Sequence, residues 1–257
     1  MKKYILNQAN WGSLKEEKFE MAILPWGATE PHNFHLPYGT DSLQSEKIAE
    51  LSTSKAYDKG VKAMVLPGIP LGVQNPGQID YPFCLNASAS TQLAILKDIL
   101  GSLSRQGIRK LVIINSHGGN DFKPLIRELQ PLFDDFFIGV IDWFKAMDNS
   151  QYFDEPGDHA GEMETSIMQY LFPDYVLPLN LAGNGESIGF KLKGLKDKLV
   201  WTPRNWDMVS KDTGVGNPTL ASAEKGKIFL EILTDNISDF MIELNTVDPQ
   251  DIYDLRE

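Results

Sequence analysis

Short apolar runs alternate along the chain with longer stretches whose apolar positions recur at helical spacing. The runs "MAILPWG" (21–27), "KAMVLPGIPLG" (62–72), "KLVIINSHGG" (110–119) and "FFIGVIDW" (136–143) are rich in β-branched or aromatic residues and end in Gly, Pro or polar residues, as buried strands do. Between them the spacing predicts helices over 41–60, 90–107 and 122–133, and the first two stop at Gly60 and Gly107, where C-cap glycines belong. Residues 161–172 and 222–244 predict two more helices. This alternation is the signature of βα units around a mostly parallel sheet, an α/β fold. Residues 173–221 break the pattern: rich in Gly, Asn and Asp and carrying Trp201 and Trp206, they read as a loop excursion, with a small hairpin and an active-site loop as its expected content. No repeat or linker divides residues 1–257, so one domain is expected.

Composition narrows the function. The chain has 257 residues and a formal net charge of −11, without the clustered Lys and Arg that neutralise phosphates, which argues against nucleic-acid binding. One cysteine, Cys84, forms no internal disulfide. The apolar run after the basic start is too short for a secretory signal, and no window of apolar residues is long enough to span a bilayer. A cytoplasmic protein with no membrane contact is the expectation.

The candidate chemistry lies at the ends of the predicted strands. All four histidines, at 32, 35, 117 and 159, fall in three short segments at predicted loop mouths, and parallel sheets bind ligands beyond their strands' carboxyl ends. Glu30 and His32 leave the first strand two residues apart, so in extended backbone both face one cavity. Asp41 opens the next helix and could serve as a ligand or only as an N-cap. Imidazoles with Asp and Glu suit Zn²⁺, Mn²⁺ or Fe²⁺ better than Ca²⁺ or Mg²⁺. The glycines after His117 permit a close backbone approach or a tight turn. At 100° per residue, Glu164 falls on the apolar arc of the 161–172 helix and Glu162 on the opposite side. Glu164 is therefore expected to face inward and to meet a cation, and Glu162 to be solvated.

Together "GATEPHNFHLPYGTD" (27–41), "NSHGGN" (115–120) and "HAGEMETS" (159–166) resemble the signatures of the creatininase (creatinine amidohydrolase) family of metal-dependent amidohydrolases. The resemblance implies a three-layer α/β/α fold and two divalent transition-metal ions bridged by Asp41. Glu30 and His117 would complete one shell, and His32 would bind the other ion. The family's creatinine-hydrolysing members supply a further Glu two positions after the histidine matching His117; Gly119 stands there, and Glu164 is the candidate to fill or support the gap. Asn33 replaces the usual Gly, and Glu155 stands where those members have a Trp. His159 is left as general acid, and His35 as an orienting partner.

The implied activity is hydrolysis of a non-peptide C–N bond in a small cyclic amide or formamide, with a hydroxide shared by the metals as nucleophile. The alternatives are a formylaminopyrimidine deformylase, a phosphoesterase recruiting Arg204 or Lys123, and a non-catalytic binding protein stabilised by metal. A small-molecule substrate is expected, and the family's ring-like oligomers, often hexamers, imply a homo-oligomer. Trp201 and Trp206 are candidates for a pocket wall.

Overall fold

In the computed structural model, which describes residues 2–254, the regular elements follow the predicted order. They are β1 (Met21–Trp26), α1 (Thr40–Asp58), β2 (Ala63–Val65), α2 (Ala89–Arg105), β3 (Lys110–Asn115), α3 (Phe122–Leu129), β4 (Phe137–Asp142), α4 (Glu162–Leu171) and α5 (Ala223–Thr246). The sheet is parallel throughout, in the order β2-β1-β3-β4. Met21 lies opposite both Ala63 and Lys110. The chain runs from β1 to β2 on one side and then to β3 on the other. The loops leaving β1 and β3 therefore diverge, and a crevice opens at the carboxyl ends of these two central strands.

Alternate side chains of the strands feed two cores. On one face Met21, Ile23, Val112 and Ile114 meet Ile48 and Ala49 of α1, Ile167 of α4, and Phe229, Leu233 and Ile237 of α5. On the other, Ala22, Leu24, Trp26, Leu111 and Ile113 meet Leu96 and Leu100 of α2 and Phe122 and Leu125 of α3. The result is three layers, α/β/α. β1 and β3 are buried along their whole length, which is why they read as continuous apolar runs rather than as alternating ones.

Local chemistry sets where the helices begin. Ser88, Asp121 and Ser222 cap α2, α3 and α5 through their side chains. The N-cap of α1 is instead Gly39, and Asp41 lies inside the first turn. Its carboxylate is thus free of capping duty. A Cβ on Gly27 would fall 2.5 Å from the Ser42 nitrogen and 2.7 Å from the Asp41 carbonyl carbon. Only glycine allows the exit of β1 to touch the backbone of α1 this closely, and that contact sets Asp41 beside the β1 loop.

Two expectations need correction. Glu162 is fully buried rather than solvated: its Oε2 accepts the Glu155 amide at 2.7 Å, and Oε1 pairs with Lys225 of α5. Residues Glu162 to Met168 of α4 are all buried, because the 154–158 loop and α5 cover the side that helical periodicity assigns to water. Periodicity on one helix cannot see a neighbour that closes over its polar face. The excursion also contains no strand: a single antiparallel bridge, Ser187 to Ser210, stands where a hairpin was expected. The short helices Lys193–Lys196 and Trp206–Val209 supply its regular structure.

No described helix is long and apolar enough to cross a membrane. Leu100 is fully buried in the α2–α3 layer, so Leu100→Ala should lower unfolding free energy by about 2–5 kcal/mol while leaving Mn²⁺ affinity unchanged; denaturant unfolding with parallel Mn²⁺ titration checks both.

Candidate metal centre

The loop after β1 brings Glu30 and His32 to the crevice, the loop after β3 brings His117, the first turn of α1 brings Asp41, and α4 with its preceding loop brings Glu164 and His159. All six predicted residues converge there, and all are buried. His117 Nδ1 lies 2.9 Å from Glu30 Oε1 and 3.1 Å from Asp41 Oδ2. His32 Nε2 lies 3.0 Å from Asp41 Oδ1 and 3.9 Å from Glu30 Oε1, and His159 Nδ1 lies 3.8 Å from that same Glu30 oxygen. Three sets have ligand atoms within 4.8 Å of one another: Glu30, Asp41 and His117; His32, Asp41 and Glu164; and Glu30, His32 and His159. Asp41 belongs to the first two sets and presents a different oxygen to each histidine.

The far side of each imidazole fixes what the near side can do. His32 Nδ1 faces the Glu30 carbonyl at 3.0 Å, His117 Nε2 the Val73 carbonyl at 2.9 Å, and His159 Nε2 the Pro31 carbonyl at 2.9 Å. A carbonyl only accepts, so each of these nitrogens carries the hydrogen. In every neutral imidazole the other nitrogen is then a bare lone pair turned towards the carboxylates. Lone pairs facing carboxylate oxygens at 3 Å require a cation between them, either a proton or a metal ion. Asp41 Oδ2 points the same way: it is buried, and beside a neutral His117 it has no hydrogen-bond donor. Among the described residues no Lys or Arg pairs with Glu30, Asp41 or Glu164. The donor set therefore fits divalent transition ions, with nitrogen and carboxylate ligands mixed.

Without metal, protons carry this burden. Burial alone would lower the His32 pKa, but the Asp41 carboxylate overrides it and raises the value to about 10. His117 is likewise held well above its ordinary value by Glu30 and Asp41 against its burial. Burial disfavours the Asp41 charge, yet His32 and His117 hold its carboxyl well below the usual range. Burial raises Glu164 to about 7, with His32 opposing the rise. His159 moves down, through burial and then the charge of His32.

His35 stays outside the cluster: its Nε2 meets Thr165 Oγ1 at 2.9 Å, tying the β1 loop to α4. Gly119 also supplies no ligand. A Cβ there would fall 2.0 Å from the Val73 carbonyl oxygen and 2.6 Å from His117 Nε2, so the backbone that anchors His117 leaves no room for a side chain. Trp206 packs edge-to-face on His159, ring centroids 5.3 Å apart, whereas Trp201 is exposed. Sequence reasoning missed Gln78, which is fully buried and whose Nε2 donates to Glu30 Oε2. That bond occupies one Glu30 oxygen and turns the other to the histidines. Nothing in "NPGQID" marks it; the contact exists only once the 73–86 loop folds over β1.

A parallel α/β sheet with a buried imidazole–carboxylate cluster at its switch point defines the class of protein: a three-layer α/β fold with a candidate metal centre. The family model described as "Creatininase: Creatinine amidohydrolase" matches residues 7–241, and the chain belongs to the creatininase family. Among curated relatives it is 27% identical over 238 residues to the 3-dehydro-scyllo-inosose hydrolase of Thermotoga maritima, covering 84% of this chain and 75% of that one. It is 25% identical over 248 residues to the creatinine amidohydrolase of Pseudomonas putida (86% and 88%), and 27% identical over 225 residues to a mycofactocin precursor peptide peptidase of Mycobacterium ulcerans (84% and 82%). A solved structure from Bacteroides fragilis NCTC 9343 that carries the creatinine amidohydrolase name superposes with a TM-score of 0.93 at 43% identity, covering 99% of this chain and 100% of that one. A creatininase in its Mn form shares the fold with a TM-score of 0.78 at 23% identity, over 96% of this chain and 100% of that one.

The protonation pattern makes a signed prediction for the metal-free chain. The folded pKa of His32, about 10, lies above its ordinary 6.5, so its contribution to stability is complete below about pH 6.5 and is lost as pH rises towards about 10. Asp41 is depressed, so its contribution is complete above about pH 4 and is lost as pH falls. The melting temperature of metal-free protein should therefore decline from neutral pH to about pH 10. Mn²⁺ should flatten that decline and bind more tightly as pH rises, because it displaces protons. Scanning fluorimetry with and without Mn²⁺ measures this, and a metal-free melting temperature that climbs over the same interval contradicts it.

Proposed function

We propose that the protein is a metal-dependent hydrolase of small molecules that cleaves a non-peptide C–N bond in a cyclic amide or formamide. The observation that carries this reading is the convergence of three carboxylates and three imidazoles whose outer nitrogens are all fastened to backbone carbonyls. A centre built only for stability needs ligands, but it does not need a third buried histidine beyond the two ligand sets that share Asp41. In this reading Glu30, Asp41 and His117 would hold one divalent ion and His32, Asp41 and Glu164 the other, with Asp41 common to both sets. Zn²⁺, Mn²⁺ and Fe²⁺ suit the donors, and ions bound there supply the Lewis acidity that activates water and polarises a carbonyl.

The chain's own residues do the rest. Gln78 holds Glu30 in place, and the Val73, Pro31 and Glu30 carbonyls set the tautomers of His117, His159 and His32. His159 carries the proton to the leaving nitrogen: its Nδ1 faces the cluster, and its lowered pKa keeps it neutral, able to take a proton and return it. Trp206 closes one side of His159 against water. Arg204, the base a phosphoesterase would recruit, is held by Asp158 at 2.6 Å and lies over the Trp206 ring, which favours an amide over a phosphate ester. The substrate is proposed to differ from creatinine, because Gly119 cannot bear the glutamate that creatinine-hydrolysing members place there. A cytoplasmic homo-oligomer remains the expected setting.

Elemental analysis of purified protein should find two equivalents of transition metal per chain; less than one equivalent, with no rise in melting temperature on adding Mn²⁺ or Zn²⁺, sinks the reading. Metal-loaded enzyme should then be screened against small lactams, formylated aminopyrimidines, creatinine, short peptides and 3-dehydro-scyllo-inosose, with turnover expected among the first two classes. On the substrate so found, His159→Ala should lower kcat by about 10²–10⁴ without removing metal; full turnover in that variant would end its assignment as proton carrier.

A further inference from the structure

Asn33 follows His32 directly and has a positive φ of 54°, in the left-handed region where asparagine is among the few tolerated side chains. It is buried, and its polar atoms are all engaged. Oδ1 accepts the Phe34 amide at 2.6 Å and the Gly183 amide at 2.7 Å, while Nδ2 donates to the Gly183 carbonyl at 3.1 Å. Its backbone amide donates to Thr213 Oγ1 at 2.9 Å. The side-chain amide thus pairs with the backbone of Gly183 on both edges, as a neighbouring strand would.

The segment it grips reaches His159 by two routes. Val215 forms an antiparallel bridge with His159, its carbonyl accepting the Asp158 amide at 2.7 Å and the His159 amide at 3.0 Å, and its own amide donating to the His159 carbonyl at 2.8 Å. Trp206, which packs on the His159 ring, donates its indole hydrogen to the Thr213 carbonyl at 3.0 Å. Buried Asp212 binds the two ends of the segment together, accepting the amides of Gly185 at 2.9 Å and Gly214 at 3.0 Å. The His32 and His159 rings lie 4.3 Å apart. A closed circuit of contacts therefore runs from His32 through Asn33, the 183–215 segment and His159 back to His32.

We propose that Asn33 is a positioning residue, a latch that fastens the 183–215 segment to the metal-bearing loop and so fixes His159 over the centre. The role of His159 as proton carrier rests on the hydrolase reading; the latch itself is a statement about contacts and is tested without turnover.

Asn33→Gly keeps the left-handed backbone without strain and removes only the side-chain pairing, and Asn33→Asp keeps the acceptor but loses the Nδ2 donor. Hydrogen exchange on the full-length variants should show the amides of Gly183, Gly185, Asp158, His159 and Val215 exchanging about tenfold faster in Asn33→Gly. A smaller increase is expected in Asn33→Asp, and β3 and α2 should be unchanged in both. Unaltered exchange at Gly183 and His159 in both variants would overturn the proposal. So would uniform acceleration that includes β3, since that would make Asn33 a contributor to global stability only. Either result would leave the hydrolase reading standing.

Discussion

Glu30, Asp41 and Glu164 are buried together at the mouth of a sheet, and among the described residues no lysine or arginine neutralises them. Buried charge of one sign is tolerated only when cations are supplied or the groups take up protons. The imidazoles of His32 and His117 meet that requirement with their near nitrogens, as protonated partners in the metal-free chain and, in the proposed reading, as ligands. The rest of the centre follows from it. A backbone carbonyl behind each ring forces the lone pair inwards, Gln78 turns Glu30 towards them, and Gly27 lets Asp41 approach closely enough to face two histidines at once.

The sheet order makes this convergence possible. β1 and β3 are neighbours but feed their loops in opposite directions, so residues more than eighty positions apart, such as Glu30 and His117, meet without either strand distorting. α1 and α4 begin on the same face, which brings Asp41 and Glu164 to the same spot. The 183–215 segment then closes over the open side and touches both the β1 loop and the loop before α4. It has no regular sheet or long helix, and its backbone groups pair instead with Asn33, Asp212 and His159.

Much of this was legible in the sequence, and the reasons are physical. The strands β1 and β3 are buried on both faces, so they stand out as apolar runs, and the glycines after α1 and α2 mark where those helices stop. Residue type and position at loop mouths gathered Glu30, His32, Asp41, His117 and His159, helical periodicity added Glu164, and the family resemblance supplied their expected roles. Illegible were features that depend on what lies across space. Glu162 is enclosed by α5 and paired with Lys225 sixty-three residues away, which no helical wheel reports. Gln78 and Asn33 take their meaning from loops that fold over them, and the crowding around Gly119 comes from the Val73 carbonyl on another loop.

In the proposed centre one carboxylate, that of Asp41, would be shared by two cations. Electron paramagnetic resonance of protein loaded with two equivalents of Mn²⁺ tests it most directly. Two ions joined through Asp41 are expected to give an exchange-coupled spectrum at the expense of the six-line signal of isolated Mn²⁺, and Asp41→Asn should lose the coupling. A six-line spectrum at full occupancy in the unaltered protein, or coupling that survives in Asp41→Asn, would contradict the account.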